Sequence, residues 1–254
     1  MNGLLNLLYP LLDALDWSLG FLPAVLRVVL LGVLSGAVAM GLYVLLSNQD
    51  SIRARKEEMQ RIRVDLAAAR DDFNETMRLS KRNLAASFGL LGVVTGPAIL
   101  SSLPLLAVIG WLSAHYGSVL PAPGTPVPLV FEPAGAAVTV EPAAALTQGA
   151  AGPELAWPAP GALPRFLVGS APVYEGPPPG LPAGIVHQKV WWNWLLGNPA
   201  GYVAPNPSLE AITFELAPLV LVPGVPSWLG GWEAVYFIAV FASSLLIKFG
   251  FRIE

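Results

Sequence analysis

The sequence predicts an α-helical integral membrane protein: three transmembrane helices, a cytoplasmic coiled-coil hairpin, and a β-rich, Pro-rich extracytoplasmic insertion. Three observations lead there. Of 254 residues, 54% are apolar and only 12% charged, a balance that belongs to membrane-spanning chains. Nine of the fourteen Lys and Arg residues lie between Asn48 and Asn83, with apolar runs on both sides, and loops so rich in cations beside membrane spans stay in the cytoplasm. Between Gly117 and Gly230 stand 21 of the 25 prolines, and the only Lys or Arg residues there are Arg165 and Lys189. The net charge of −3 averages a basic inner loop against an acidic outer region and carries no information of its own.

Residues 1–20 hold Leu4, Leu5, Leu7, Leu8, Leu11, Leu12 and Leu15 around Pro10, with Asp13, Asp16 and Trp17 near the end. No basic region precedes them, so a cleaved secretory signal is not expected. The segment reads as an amphipathic helix lying in the outer membrane interface or as a flexible apolar leader.

The first span is expected over 21–47. Gly32, Ser35, Gly36 and Ala39 form a small-residue stripe that lets another helix approach closely. Arg27 stands about 140° from that stripe at roughly 100° per residue. It lies near the outer end, where a long side chain either snorkels to water or pairs with Glu233 at the outer start of the last span, so that the two seal the outer end.

Residues 48–83 carry a seven-residue repeat: Ile52, Met59, Leu66 and Phe73, with Ile62, Ala69 and Thr76 between them. That is a heptad seam with charged flanks. One unbroken helix would reach about 50 Å from the bilayer at 1.5 Å per residue, yet the next span starts back at the membrane. The chain must therefore reverse. Asp71, Asp72 and Asn74 are turn and N-cap types, which places the bend between Ala69 and Asn74.

The second span, over 84–115, has small residues at Gly89, Gly92 and Gly96 and breakers at Pro97 and Pro104. Proline inside a span frees carbonyls that need other partners. Thr95, Ser101 and Ser102 supply a polar stripe beside these kinks, which fits a helix facing a partly hydrated groove or ordinary helix packing.

In the outer region, 116–230, proline at this density rules out long helices. Residues 126–131, 136–141 and 211–222 alternate or run apolar as strands do. The segment VWWNWLLGN, 190–198, suits an interfacial helix at headgroup level or a Trp-anchored core. The third span occupies 231–254 and ends on Lys248 and Arg252. The N-terminus is thus outside and the C-terminus inside. No Asn-x-Ser/Thr acceptor occurs in the outer region, which favours a prokaryotic plasma membrane.

Neither a Walker loop, a dinucleotide fingerprint, HExxH nor GxSxG is present, so no enzyme activity or cofactor is expected. With no Cys, disulfides and thiolate metal sites are excluded. His115 and His187 have no carboxylate at ligand spacing, so no metal site is expected either. The basic hairpin alternates its charges with acids, which suits anionic lipid or a ribosome surface and not sequence-specific nucleic acid.

The runs RNLAASFGLLGVVTGPAILSSLPLLAVIGWL (82–112) and GGWEAVYFIAVFASSLLIKFGFRI (230–253) complete a recognisable order of parts. The chain resembles the Oxa/YidC superfamily of membrane protein insertases. It looks most like the branch of archaeal YidC-like proteins, the third subunit of the endoplasmic reticulum membrane protein complex, and the transmembrane and coiled-coil-domain protein. The resemblance implies an insertase or intramembrane chaperone easing client segments through a partly hydrated groove. Its partners would be the lipid bilayer, client membrane proteins, and a ribosome or another membrane complex subunit. The alternative is a scaffold or accessory subunit that binds partners through the coiled coil and the outer module.

Overall fold

Three helices are long and apolar enough to cross a membrane: α2 (Ala24–Leu46), α4 (Phe73–Tyr116) and α6 (Trp232–Gly250). They are seen in a computed structural model of the chain, which describes residues 3–69, 72–149, 152–182 and 184–253. The remaining helices are α1 (Tyr9–Ser18), α3 (Gln49–Ala68) and the single-turn α5 (Ser227–Gly230). The chain divides into two compact units, one of Met1–Val28 with Leu106–Val235, the other of Val29–Leu105 with Tyr236–Glu254.

In the second unit, α3 begins where the Asn48 side chain accepts a bond from the Ser51 N–H at 2.9 Å. It runs to Ala68, and α4 starts at Phe73. Asp72 caps that start, its Oδ1 accepting from the Glu75 N–H at 3.1 Å. Thr76 donates its hydroxyl back to the Ala69 carbonyl at 2.7 Å. Arg70 and Asp71 lie outside the described residues. The two arms lie side by side, with Arg82 reaching Glu58 at 3.2 Å and Arg55 covering Gly89.

The residues counted into the expected heptad differ in burial. Ile52 and Ile62 are fully buried, Leu79 and Ala86 on the returning arm are buried, and Met59, Leu66 and Ala69 are half-buried. Phe73 is 76% exposed. The turn resets the helical phase, so a register counted through it from α3 points Phe73 away from the contact. A second difference concerns the boundary at residues 83 and 84. The returning arm and the second span are one 44-residue helix containing both Pro97 and Pro104, about 66 Å long at 1.5 Å per residue.

In the first unit, residues between α4 and α6 fold into two antiparallel sheets. One has the order β3-β4-β1-β8-β7 and the other β2-β5-β6. The strands are β1 (Pro126–Glu132), β2 (Val138–Glu141), β3 (Leu146–Gln148), β4 (Pro153–Ala156), β5 (Arg165–Val168), β6 (Ala171–Glu175), β7 (Ile185–His187) and β8 (Ala211–Phe214). In β1 the side chains of Val127 and Leu129 turn inward, the period-2 pattern of a half-buried strand. Leu129 pairs with Phe214 of β8. The core gathers Leu155, Trp157, Phe166, Tyr174, Ile212 and Phe214, with Phe166 and Phe214 edge to face at 6.2 Å, a favoured aromatic geometry. The apolar run 211–222 is strand only as far as Phe214. Beyond it the chain pairs with the segment leaving α4, Val119 N–H to Ala217 carbonyl at 2.8 Å.

Candidate functional site

Helix α1 and the C-terminal end of α4 share a cluster of polar contacts. Helix α1 presents Asp13 and Asp16 on one face. Asp16 takes two groups, the Arg27 guanidinium at 2.9 Å and the Tyr116 hydroxyl at 2.6 Å, and the Tyr116 ring faces the Arg27 guanidinium at 5.6 Å. Asp13 accepts from the Trp111 indole N–H at 2.7 Å and lies 3.5 Å from His115, whose ring stacks on Trp111 at 4.3 Å.

Arg27 therefore closes on Asp16 and not on Glu233, which corrects the expected outer seal. The physical reason is tethering. Only Leu19 to Pro23 separate α1 from α2, so Asp16 is held beside Arg27 at high effective concentration, whereas Glu233 arrives on a separate helix. Glu233 sits exposed in the first turn of α6, where the helix dipole favours an anion. The carboxylates of α1 are the contact residues for which the sequence suggested no partner. Their signal was present: two acids three residues apart share one face of an otherwise apolar helix.

The N-terminal segment is helical and fastened. Leu5 donates to the Leu195 carbonyl at 2.8 Å, and Asn6 exchanges two bonds with Gly197, at 3.0 and 2.9 Å. Residues 190–198 contain a 3₁₀ turn, Trp191–Trp194. Its three tryptophans are 83, 44 and 59% exposed, so the module's core rests on Trp157 instead. Leu4, Leu7, Leu11 and Trp17 are exposed as well.

Next to this joint lies a cavity of about 490 Å³. Its wall includes Tyr9 of α1, Ser113 of α4, His187 of β7, Trp192, and Trp232 with Glu233 of α6. The Tyr9 hydroxyl is buried with no partner among the described residues, pressed against Gly110. Burial and the charge of Asp13 push its pKa up to about 12. Among the described residues no group of three His, Asp or Glu side chains is arranged to hold a metal ion.

The other predicted residues lie in the second unit. A Cβ on Gly32 would stand 2.7 Å from that of Ala239 and 2.9 Å from the Tyr236 carbonyl, and one on Gly36 would meet the Ser243 hydroxyl. Ser35, between them, is buried. These residues close α2 on α6. A Cβ at Gly92 or Gly96 would meet open space among the described residues. Thr95, Ser101 and Ser102 give their hydroxyls to their own helix, to Leu91, Ala98 and Ile99 carbonyls at 2.7, 3.0 and 2.7 Å. Thr95 is exposed and Ser101 buried.

No family model, curated protein or solved structure matches this chain.

Proposed function

We propose that the chain is a membrane protein insertase or intramembrane chaperone of the Oxa/YidC type. It would sit in a prokaryotic plasma membrane with its N-terminus outside and its basic coiled-coil hairpin in the cytoplasm. The observation that carries this reading is the unfilled stretch of α4. Gly92, Thr95 and Gly96 are exposed, and so are Leu91, Ile99 and Leu100 around them. The apolar window of α4 is 17% buried, against 28% for α2 and for α6.

Small residues let a second helix come close, and packing, not hydrophobic transfer, drives helix association in lipid. Pro97 and Pro104 also lack N–H groups, which takes the usual bond from the Val93 and Leu100 carbonyls. Such carbonyls offer a client segment polar partners at bilayer depth. A groove of this kind lowers the cost of moving a charge past the bilayer centre, about 2.5–3.5 kcal/mol for each. The reaction needs no covalent step. The hairpin would meet a ribosome or another membrane complex subunit.

The test is photo-crosslinking in cells making a stalled client with one apolar span. A photoreactive residue at Thr95 or Gly96 should capture the client's span, and one at Gly36, closed against α6, should not. Adducts to one fixed protein regardless of client would favour a scaffold subunit. No adduct from either α4 position would end the insertase reading.

A further inference from the structure

The cavity beside Tyr9 has a wall suited to a cation. Tyr9, Trp192 and Trp232 bring aromatic rings to it, and His187 adds a fourth, 5.8 Å from Trp192. Aromatic faces attract ammonium groups through their quadrupole, and quaternary and methylated amines are held in such cages. Glu233 stands in the same wall with no ion-pair partner among the described residues, and neither Lys nor Arg lines the space. An anionic ligand would find a carboxylate and no countercharge.

Among the polar groups of that wall, Asn193 and Asn198 spend their side chains on the backbone, Asn193 on Val190 and Leu196 and Asn198 on Ile185 and Ala200. The Tyr9 hydroxyl is left buried without a partner among the described residues. Ile185 and Leu196 add an apolar flank, which suits a ligand with carbon next to its charge. The volume, about 490 Å³, falls within the roughly 300–1,000 Å³ of small-molecule sites. Gly110 and Ser113 lie in the last two turns of α4 and Trp232 opens α6, and the ends of helices that cross a bilayer meet its headgroup layer.

We propose that this cavity binds the ammonium end of an amine-bearing phospholipid headgroup, with Glu233 as counter-ion and Tyr9, Trp192 and Trp232 as aromatic walls. The wall comes from α1, the ends of α4 and α6 and the 181–200 segment, and not from the α4 stretch around Gly96 that carries the insertase reading, so the two stand or fall separately.

The full-length protein, purified in mild detergent, is titrated with short-chain phosphatidylethanolamine, short-chain phosphatidylglycerol and free ethanolamine. Native mass spectrometry counts bound lipid, and tryptophan emission is followed alongside. One phosphatidylethanolamine per chain should bind, at least about tenfold tighter than phosphatidylglycerol or ethanolamine. Glu233→Gln should weaken that binding about tenfold with the fold retained and at most a small fall in melting temperature, since the side chain is exposed and loses only its charge at the helix start. Trp192→Leu, at a half-exposed position, is a second variant with the same expected direction. Equal binding of the two lipids, or full binding by Glu233→Gln and Trp192→Leu, overturns the site. Ethanolamine competing at the lipid's own concentration overturns the lipid assignment and makes a free amine the ligand.

Discussion

Asp16 and Arg27 are each about a fifth exposed, at 23 and 22%, so their bond is neither a solvated surface pair nor a dry one. The Arg27 Nε is buried without an acceptor of its own among the described residues, and Asp16 with the Tyr116 ring compensates that charge. Asp16→Asn or Arg27→Gln should each cost about 1.5–3 kcal/mol, the range for bonds to charged groups. In a double-mutant cycle on unfolding in detergent, the combined variant should lose clearly less than the sum. Additive losses would reject the pair. Buried tyrosines outside the spans, Tyr9 and Tyr174 among them, should weaken the fold at alkaline pH. Tyr9 has its pKa raised to about 12, and burial raises that of Tyr174, which donates to the Ala200 carbonyl at 2.9 Å. Unfolded tyrosine ionises near about 10. Above that pH the unfolded chain binds fewer protons than the folded one, so stability present below it is lost as pH rises towards the folded value. The melting temperature should therefore fall from about pH 10 upward, and less steeply in Tyr174→Phe. A flat profile would show that neither phenol is withheld from water.

Helices α2 and α6 meet through glycine, and α4 carries glycines that meet nothing. The same substitution should thus behave in opposite ways on the two elements. Gly36→Leu places a large side chain where the Ser243 hydroxyl already stands, an overpacking that costs about 1–3 kcal/mol. Gly96→Leu meets open space and should leave the melting temperature in detergent near that of the parent, or raise it slightly because leucine is the better helix former. Thermal unfolding of the two variants side by side decides this. Equal destabilisation would mean that a neighbour covers α4. Within α3 the counted positions Ile52 and Ile62 are buried, whereas Phe73, counted through the turn, is exposed, because a turn carries no helical phase across it.

For the whole molecule the decisive quantity is which side of the membrane each part occupies. The chain contains no Cys, so single cysteines report their own positions without background. Cysteine at Arg63 or Asp72 should react with an impermeant maleimide only from the cytoplasmic side. Cysteine at Thr147 or Glu175, on β3 and β6 of the β module, should react only from outside. The reverse pattern would invert the proposed orientation, which rests on the cationic hairpin.

The three spans and the reversal between Ala69 and Asn74 followed from local properties of the chain. Hydropathy over a bilayer's thickness and a capping Asp72 need no knowledge of distant residues. The module was partly legible: β1 showed its alternation, while β3, β4, β5, β6 and β7 are three to five residues long, too short for a period to register between prolines and glycines. Tertiary structure alone decided which acid meets Arg27, which glycines are covered, and that Tyr9 reaches Trp192 and Glu233 around one cavity. Those facts join residues far apart in sequence, from Asp13 with Trp111 to Asn6 with Gly197. Their pairing depends on where helices and loops are brought together, and a side chain's type and spacing do not encode that.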